Sequence, residues 1–136
     1  MQDDWNDFLF KLKDMDLKNK TVALFGCGDS VSFSSSFCDA LGVIYHELQH
    51  TGCTFTGEVD PSEYRFDGSG GVIDGKFVGL PIDDNNESDR TDTRIKKWTD
   101  RLKVSVAFRS HRSYMFQFRT PKSIFTGCVK TIFKTT

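Results

Sequence analysis

The chain has 136 residues, 38% of them hydrophobic, and this size and composition suit one soluble domain with a modest core. No apolar run reaches the roughly 18 residues of a membrane span, and the acidic start MQDDWNDF lacks the order of a signal peptide, so we expect neither membrane insertion nor export. The net charge of −1 hides an acidic body, residues 1–103 with 12 basic and 19 acidic side chains, and a tail, residues 104–136, with six Lys or Arg and no Asp or Glu.

The start of the chain predicts a helix followed by a buried strand. DDWNDFLFKLKDMDL repeats apolar side chains at helical spacing, and Asp3 or Asp4 can cap its start. Its apolar positions are Trp5, Phe8, Leu9, Leu12 and Met15. TVALFG, residues 21–26, is continuously apolar, which is typical of a parallel strand covered on both faces. A glycine-rich turn follows this strand, and loops at the carboxyl ends of such strands bind ligands in open α/β sheets.

A second helix and strand follow. SSFCDALGVIYHELQHTG has helical spacing, and Ser35 or Ser36 can cap it. CTFTGEV, residues 53–59, predicts a strand, and Asp74-Gly75 between two apolar runs predicts a hairpin.

The end of the body predicts a third helix. Thr91 can cap TDTRIKKWTDRLK, whose apolar face carries Ile95, Trp98 and Leu102. In the tail, VSVAF and SIFTGCVKTIF can each extend as a strand. The alternation of helices and strands favours an α/β fold.

HELQH, residues 46–50, fits the H-E-x-x-H signature of zinc-dependent hydrolases. At about 100° per residue, His46 and His50 fall on the helix face opposite the apolar stripe, which suits solvent rather than an active-site cleft. A zinc site also needs a third protein ligand, and the sequence offers no obvious one. Glu58, Glu63 and His111 are candidates only by default. We therefore keep the hydrolase as an alternative and expect no metal ligands here.

The four cysteines predict reduced thiols. They stand at positions 27, 38, 53 and 128 and form no C-x-x-C pair for a structural zinc. Three of them lie in apolar stretches, which is typical of core thiols in a reducing compartment.

Three segments together resemble the flavodoxin family, specifically its long-chain branch. VALFGCGDSVSFSSSFCDALG resembles a strand, its Gly-x-Gly-Asp turn and the flavin loop, and DGKFVGLPIDDNNESDRTDTRIKKW resembles the last strand, acidic loop and last helix. DPSEYRFDGSGGVID is similar to the insertion that splits the final strand in long-chain members. The resemblance covers about residues 2–103 and implies a flavodoxin-like three-layer α/β sandwich with a parallel sheet.

The resemblance implies one FMN, electron transfer and no substrate turnover. Phe33 stands where the family usually has a Tyr stacked on the flavin, and Ser36 where it often has an Asn. The implied cofactor-binding residues are Cys27, Gly28, Asp29, Ser30, Val31, Ser32, Phe33, Ser36, Phe37, Cys38 and Asp39. A second loop near the flavin would be Asp83, Asp84, Asn85 and Asn86. The implied partners are redox proteins such as a ferredoxin-NADP reductase or photosystem I, which the acidic body suits.

The resemblance also implies an incomplete domain. No Thr/Ser-rich T-x-T-G-x-T stretch is present to wrap the FMN phosphate, and the family's first three strands have no counterpart. We therefore predict a partial domain over 1–103 that binds FMN weakly or not at all, and a poorly ordered basic, Phe-rich tail over 104–136.

The sequence also gives expectations about the compartment and about binding partners. We expect a cytoplasmic protein, or a chloroplast one if a transit peptide precedes Met1. We expect no nucleic-acid or membrane partner, although a binding module that uses the exposed strand edge or the basic tail remains a further alternative.

Overall fold

The computed structural model describes residues 3–107 and 129–135. The α-helices are α1 (Asp3–Lys13), α2 (Asp39–Leu48) and α3 (Ser88–Ala107). The strands are β1 (Lys20–Cys27), β2 (Thr54–Thr56), β3 (Val72–Ile73), β4 (Lys76–Phe77), β5 (Gly79–Ile82) and β6 (Val129–Thr135). Short 3-10 helices span Ser34–Ser36, Gln49–Thr51 and Pro61–Glu63.

The main sheet is built around β1. β2 and β5 run parallel to β1, with Thr21 opposite Thr54 and Cys27 opposite Ile82. β6 runs antiparallel to β1 from Lys20 to Gly26. Because β6 occupies one edge of β1 over this whole length, β2 and β5 must follow each other along the other edge. The small β3–β4 hairpin stands apart as a second sheet.

The two faces of β1 pack against different helices. Val22 and Leu24 are wholly buried in a cluster with α1 and α2 that includes Leu12 and Leu41. Ala23 belongs to a second cluster that contains Trp98 of α3. Since successive side chains of a strand point to opposite faces, this alternation makes β1 the centre of a helix–sheet–helix sandwich. The predicted α/β class and doubly covered strand are confirmed.

The Asp74-Gly75 hairpin is confirmed as well. Both residues have positive φ, 52° and 77°, between β3 and β4. Two consecutive residues of this kind match the twist of the flanking strands, which is why Asp-Gly favours such turns.

Several predicted element ends are wrong. α1 ends at Lys13, and Met15 is 54% exposed, because the chain turns away to bury Leu17, whose N–H donates to the Thr51 carbonyl oxygen. Leu9 and Leu12 are buried as predicted, whereas the side chains of Trp5 and Phe8 lie outside the described residues.

The predicted serine cap of α2 is also wrong. Ser35 and Ser36 form a separate exposed turn, and the residue before α2 is Cys38, which has a φ of 56° and makes no side-chain capping bond. β2 is shorter than the predicted 53–59, because Gly57 takes a φ of 90° directly after it.

The third helix differs at both ends and on its buried face. It begins at Ser88 rather than at Thr91, and it continues through Ala107, so most of VSVAF is helical instead of extended. Arg94 and Trp98 are buried, whereas Ile95 is 37% exposed. No α-helix in the described ranges is both long and apolar enough to cross a bilayer.

Part of the tail confirms an extended segment. Val129–Phe133, the end of SIFTGCVKTIF, lies within β6. The remaining prediction for 104–136 falls largely on residues 108–128, which lie outside the described residues, so the two-part division at residue 103 stays a prediction.

Candidate functional site

Two loops meet where β1 and β5 end. The parallel pairing sets Cys27 opposite Ile82, and the Gly28 N–H donates to the Ile82 carbonyl oxygen at 2.8 Å. The first loop, residues 28–33, and the second loop, residues 83–86, therefore leave the same edge of the sheet together. We call them the strand-end loops.

The buried carboxylate of Asp83 links the two strand-end loops through hydrogen bonds. Its side chain is 1% exposed, and it accepts hydrogen bonds from the Ser30 N–H at 3.0 Å and from the Ser30 hydroxyl at 2.5 Å. The Asn86 amide nitrogen donates to both Asp83 oxygens, at 2.9 and 3.0 Å. Burial opposes the charge on Asp83, but the bonds from Ser30 and Asn86 outweigh burial and lower the pKa of its carboxyl.

Asp29 makes the reciprocal link from the first loop to the second. Its carboxylate accepts from the Ser32 N–H at 2.8 Å, and the side-chain amides of Asn85 and Asn86 donate to it at 3.2 and 2.9 Å. The backbone bond from Ser32, followed by the bond from Asn86, holds the pKa of Asp29 well below its usual range. Two carboxylates thus stay ionised at neutral pH and fix the two loops against each other.

Above this polar base the first loop exposes apolar surface. Val31 is 72% exposed and Phe33 is 55% exposed. The Phe33 N–H donates to the Asp29 carbonyl oxygen at 3.0 Å, so the backbone that carries this ring is held in place. A fixed loop that exposes an aromatic ring can receive a flat, apolar ligand face.

The remaining predicted site residues divide between the surface and the core. Cys27 is half-buried, Ser32 and Ser36 are exposed, and the Asp39 carboxylate accepts from the Gly70 N–H at 2.6 Å. Phe37 is wholly buried, with its ring centroid 5.7 Å from that of Phe66.

Cys38 is buried beside Phe37. Its thiol donates to the Gly26 carbonyl oxygen, and burial raises the pKa of this thiol to about 12. A Cβ on Gly28 would come within 2.7 Å of the Cys38 sulfur, so this packing requires glycine at position 28. The structure therefore places residues 28–33 in the strand-end loops, directly after Cys27 at the end of β1, and buries the side chains of Phe37 and Cys38 in the core.

A groove beside the first loop was not predicted. It has a volume of about 980 Å³ and lies between the first loop, residues 62–67 and α3. Arg94 in this groove is 8% exposed, and it donates to Glu87 at 2.6 Å and stacks 4.1 Å above the Tyr64 ring. The sequence held one signal for this groove: Arg94 lies four positions before Trp98 and so shares the buried face of the helix. A buried cation needs an acidic or aromatic partner, and Glu87 and Tyr64 are those partners here.

The HELQH segment faces solvent, as predicted. His46, Glu47 and His50 are exposed, whereas Leu41 and Ile44 on the same helix are wholly buried. α2 ends at Leu48, so His50 belongs to the following 3-10 helix. Within 3–107 and 129–135 no group of three or more His, Cys, Asp or Glu could hold a metal ion, and the candidate His111 lies outside those ranges. The hydrolase reading has no support.

The α/β fold agrees with comparisons to known proteins. The Flavodoxin family model matches residues 1–98. This chain belongs to the flavodoxin family. It is 44% identical over 100 residues to Flavodoxin 1 of Azotobacter vinelandii, a match over 72% of this chain and 58% of that flavodoxin. It is 39% identical over 103 residues to a Nostoc flavodoxin, over 76% of this chain and 61% of the relative.

Solved flavodoxin structures have a similar fold. A flavodoxin of Fusobacterium nucleatum bound to flavin mononucleotide has a TM-score of 0.71 and 30% identity, over 74% of this chain and 60% of that one. The chain spans about 60% of the length of the flavodoxins that it matches.

Proposed function

We propose that this chain forms the ring-binding part of an FMN-dependent electron carrier. The observation that carries the proposal is the exposed Phe33 on a loop fixed by Asp29 and Asp83 at the carboxyl end of β1. Open α/β sheets bind ligands at the carboxyl ends of their strands, and flavodoxins follow this rule. FMN, when bound, would supply the one-electron chemistry.

The described residues fit one end of FMN better than the other. Phe33 and Val31 offer apolar surface for a flat ring, and Phe keeps the π face of the usual Tyr without its hydroxyl. The sequence contains no T-x-T-G-x-T stretch to hold the phosphate. We therefore expect that these 136 residues alone bind FMN weakly or not at all.

Ionised carboxylates at the strand-end loops influence the redox chemistry. Asp29 and Asp83 carry negative charge at neutral pH, because hydrogen bonds lower the pKa of each carboxyl. Negative charge next to a bound ring disfavours adding more, so reduced flavin becomes a stronger electron donor.

The partners would be redox proteins with basic docking surfaces. Residues 1–103 carry 12 basic and 19 acidic side chains, and this negative field would steer the chain towards a ferredoxin-NADP reductase or a photosystem I acceptor face. Raised salt should slow electron transfer to such a partner, since screening shortens the reach of the field.

A flavin titration of matched variants tests the proposal. We expect the purified chain to quench FMN fluorescence only at high protein concentration and to lose its yellow colour on a desalting column. Phe33→Ala should weaken binding by about two- to tenfold through lost stacking. Phe10→Ala is the matched control, because Phe10 on α1 is 64% exposed and lies outside the strand-end loops.

Two outcomes would contradict this proposal. A chain that stays yellow through desalting would show that the phosphate loop is dispensable for tight binding. Equal FMN affinities for Phe33→Ala and the unmodified chain would show that the first loop does not contact the ring.

A further inference from the structure

The buried guanidinium of Arg94 joins two segments that are well separated in the sequence. One of its nitrogens donates to the Glu87 carboxylate at 2.6 Å, and another donates to the Glu63 carbonyl oxygen at 3.1 Å. The guanidinium also lies 4.1 Å from the centre of the Tyr64 ring. Glu87 directly follows the second loop, whereas Glu63 and Tyr64 belong to the insertion, residues 60–74. Arg94 therefore holds the insertion against the end of the second loop.

The same stretch of the insertion also binds the end of the first loop. The Asp67 N–H donates to the Ser34 carbonyl oxygen at 2.9 Å, and the Ser34 hydroxyl donates to the Asp67 carboxylate at 2.6 Å. The Gly68 N–H donates to the same carbonyl oxygen at 3.0 Å. Because Ser34 directly follows Phe33, the insertion fixes one end of the residue that carries the exposed ring.

These contacts form a closed circuit around the groove beside the first loop. The Asn86 side chain donates to the Asp29 carboxylate at 2.9 Å, which links the second loop to the start of the first loop. Glu87, the next residue after Asn86, accepts from Arg94. The circuit thus leads from the first loop through the second loop to Arg94, and then along the insertion back to the residue after Phe33.

Arginine suits this position because one guanidinium can bind all three partners. Its donors lie in a fixed plane, so they can reach Glu87 and the Glu63 carbonyl oxygen while its face lies on the Tyr64 ring. The side chains of Arg94 and Glu87 are 8% and 21% exposed, so their attraction is largely shielded from water. Removing one partner of such a shielded pair costs far more stability than removing one partner of an exposed pair.

We propose that Arg94 is a positioning residue for the flavin: by holding the insertion against Glu87, it sets the orientation of Phe33 without contacting the flavin itself. The inference rests on the proposed function, which assigns Phe33 to the flavin ring. Stacking of two rings depends on their relative angle and offset, so a displaced Ser34 would weaken it. The Phe33 N–H is already bound to the Asp29 carbonyl oxygen, and the insertion supplies the second fixed point.

Two double variants of the full chain test the proposal. The Arg94 double variant, Arg94→Met with Glu87→Gln, removes both charges, so no unpaired charge stays buried. The Lys96 double variant, Lys96→Met with Asp100→Asn, is the matched control. It removes an exposed ion pair of α3, in which Lys96 lies 2.7 Å from Asp100. Each variant loses one cation and one anion, so the net charge of the chain is the same in both.

Amide hydrogen exchange without FMN is the first measurement. We expect the Arg94 double variant to raise the exchange rates of the Phe33, Asp67 and Gly68 amides by about fivefold or more, because local opening becomes easier. The amides that pair β1 with β5 should keep their rates, which separates a loosened loop from a lost fold. The Lys96 double variant should exchange like the unmodified chain.

FMN titration with and without the Phe33 ring is the second measurement. The Arg94 double variant should weaken FMN binding by about twofold or more when Phe33 is present, and by less than about 1.5-fold in the Phe33→Ala chain, because residues that act together are not additive. A role in stability alone would weaken binding by the same factor in both chains. The Lys96 double variant should leave the FMN affinity unchanged in both.

Two results would overturn the proposal. One is an unchanged exchange rate of the Phe33 amide in the Arg94 double variant, and the other is an equal loss of FMN affinity with and without the Phe33 ring. If the unmodified chain binds no FMN at all, the proposed function fails, whereas the exchange measurement still decides whether Arg94 positions Phe33.

Arg94→Lys replaces the Arg94 double variant if that variant loses the protection of its β1 amides. Lysine keeps the positive charge, but it cannot bind Glu87 and the Glu63 carbonyl oxygen in the planar arrangement of a guanidinium. We expect faster exchange of the Phe33 amide with an intact β1. Unchanged exchange in Arg94→Lys would overturn the proposal as well.

Discussion

At the scale of single residues, Asp83 sets the geometry of the candidate site. It is almost wholly buried, yet it stays charged because Ser30 and Asn86 donate five hydrogen bonds to it. Removing the charge while keeping the shape should therefore loosen both strand-end loops at once.

Asp83→Asn should lower the free energy of unfolding at pH 7 by about 1.5–3 kcal/mol, the range for hydrogen bonds to a charged group. The pKa of Asp83 is lowered in the folded chain, so its contribution is complete above the unfolded value of about 4 and is lost as the pH falls through the folded value. The difference between variant and unmodified chain should thus shrink below about pH 4. Urea unfolding at pH 7 and pH 3 measures both quantities.

Asp92→Asn is the control for this experiment, since Asp92 is an exposed carboxylate on α3. It should change the free energy of unfolding by at most about 0.5 kcal/mol. A difference for Asp83→Asn that grows at low pH would show that Asp83 is neutral in the folded chain.

The sequence led to the first loop, but it did not reveal which residues hold that loop. Asp83 and Asn86 were expected only as neighbours of a flavin, because a hydrogen bond across 53 positions, such as Ser30 to Asp83, leaves no local pattern. Phe37 and Cys38 were expected at the ring, and their burial depends on residues 64–77, which pack over them.

At the scale of elements, α2 packs closely against the insertion, residues 60–74, at glycine positions. A Cβ on Gly42 would lie 1.9 Å from the Gly70 carbonyl oxygen, and the next residue, Val43, points away and is 43% exposed. The insertion can therefore lie against α2 only where the helix lacks a side chain.

Gly42→Ala should destabilise the chain by about 1–3 kcal/mol, because overpacking against a backbone atom outweighs the gain in helix propensity. Val43→Ala should change the free energy of unfolding by at most about 0.5 kcal/mol. Urea unfolding followed by circular dichroism compares the two. A more stable Gly42→Ala would show that helix propensity dominates and that the insertion is not held against α2.

Element types were predictable and their ends were not. TVALFG and Asp74-Gly75 carry strong local signals, and both took the expected structure. Met15 and Ile95 followed the helical period but are exposed, because tertiary contacts of Leu17 and Arg94 decided the local arrangement.

At the scale of the whole molecule, the main sheet combines parallel and antiparallel pairing around β1. The resemblance predicted parallel strands and an exposed apolar edge. The pairing of β2 and β5 with β1 confirms the parallel strands, whereas the exposed edge is wrong, because β6 pairs with β1 there. β6 and β1 are more than a hundred positions apart in the sequence. Composition alone does not predict which strands pair, or in which register, over such a separation.

The central claim is that residues 28–33 and 83–86 form the surface that meets a flavin ring. The most direct test is an FMN titration of the isotope-labelled chain, followed residue by residue through its amide resonances. We predict shifts concentrated in these two loops, largest near Phe33, that do not saturate until FMN is in large excess. Shifts confined to His46–His50 or to the groove beside Arg94, or no shift at any FMN concentration, would contradict the account.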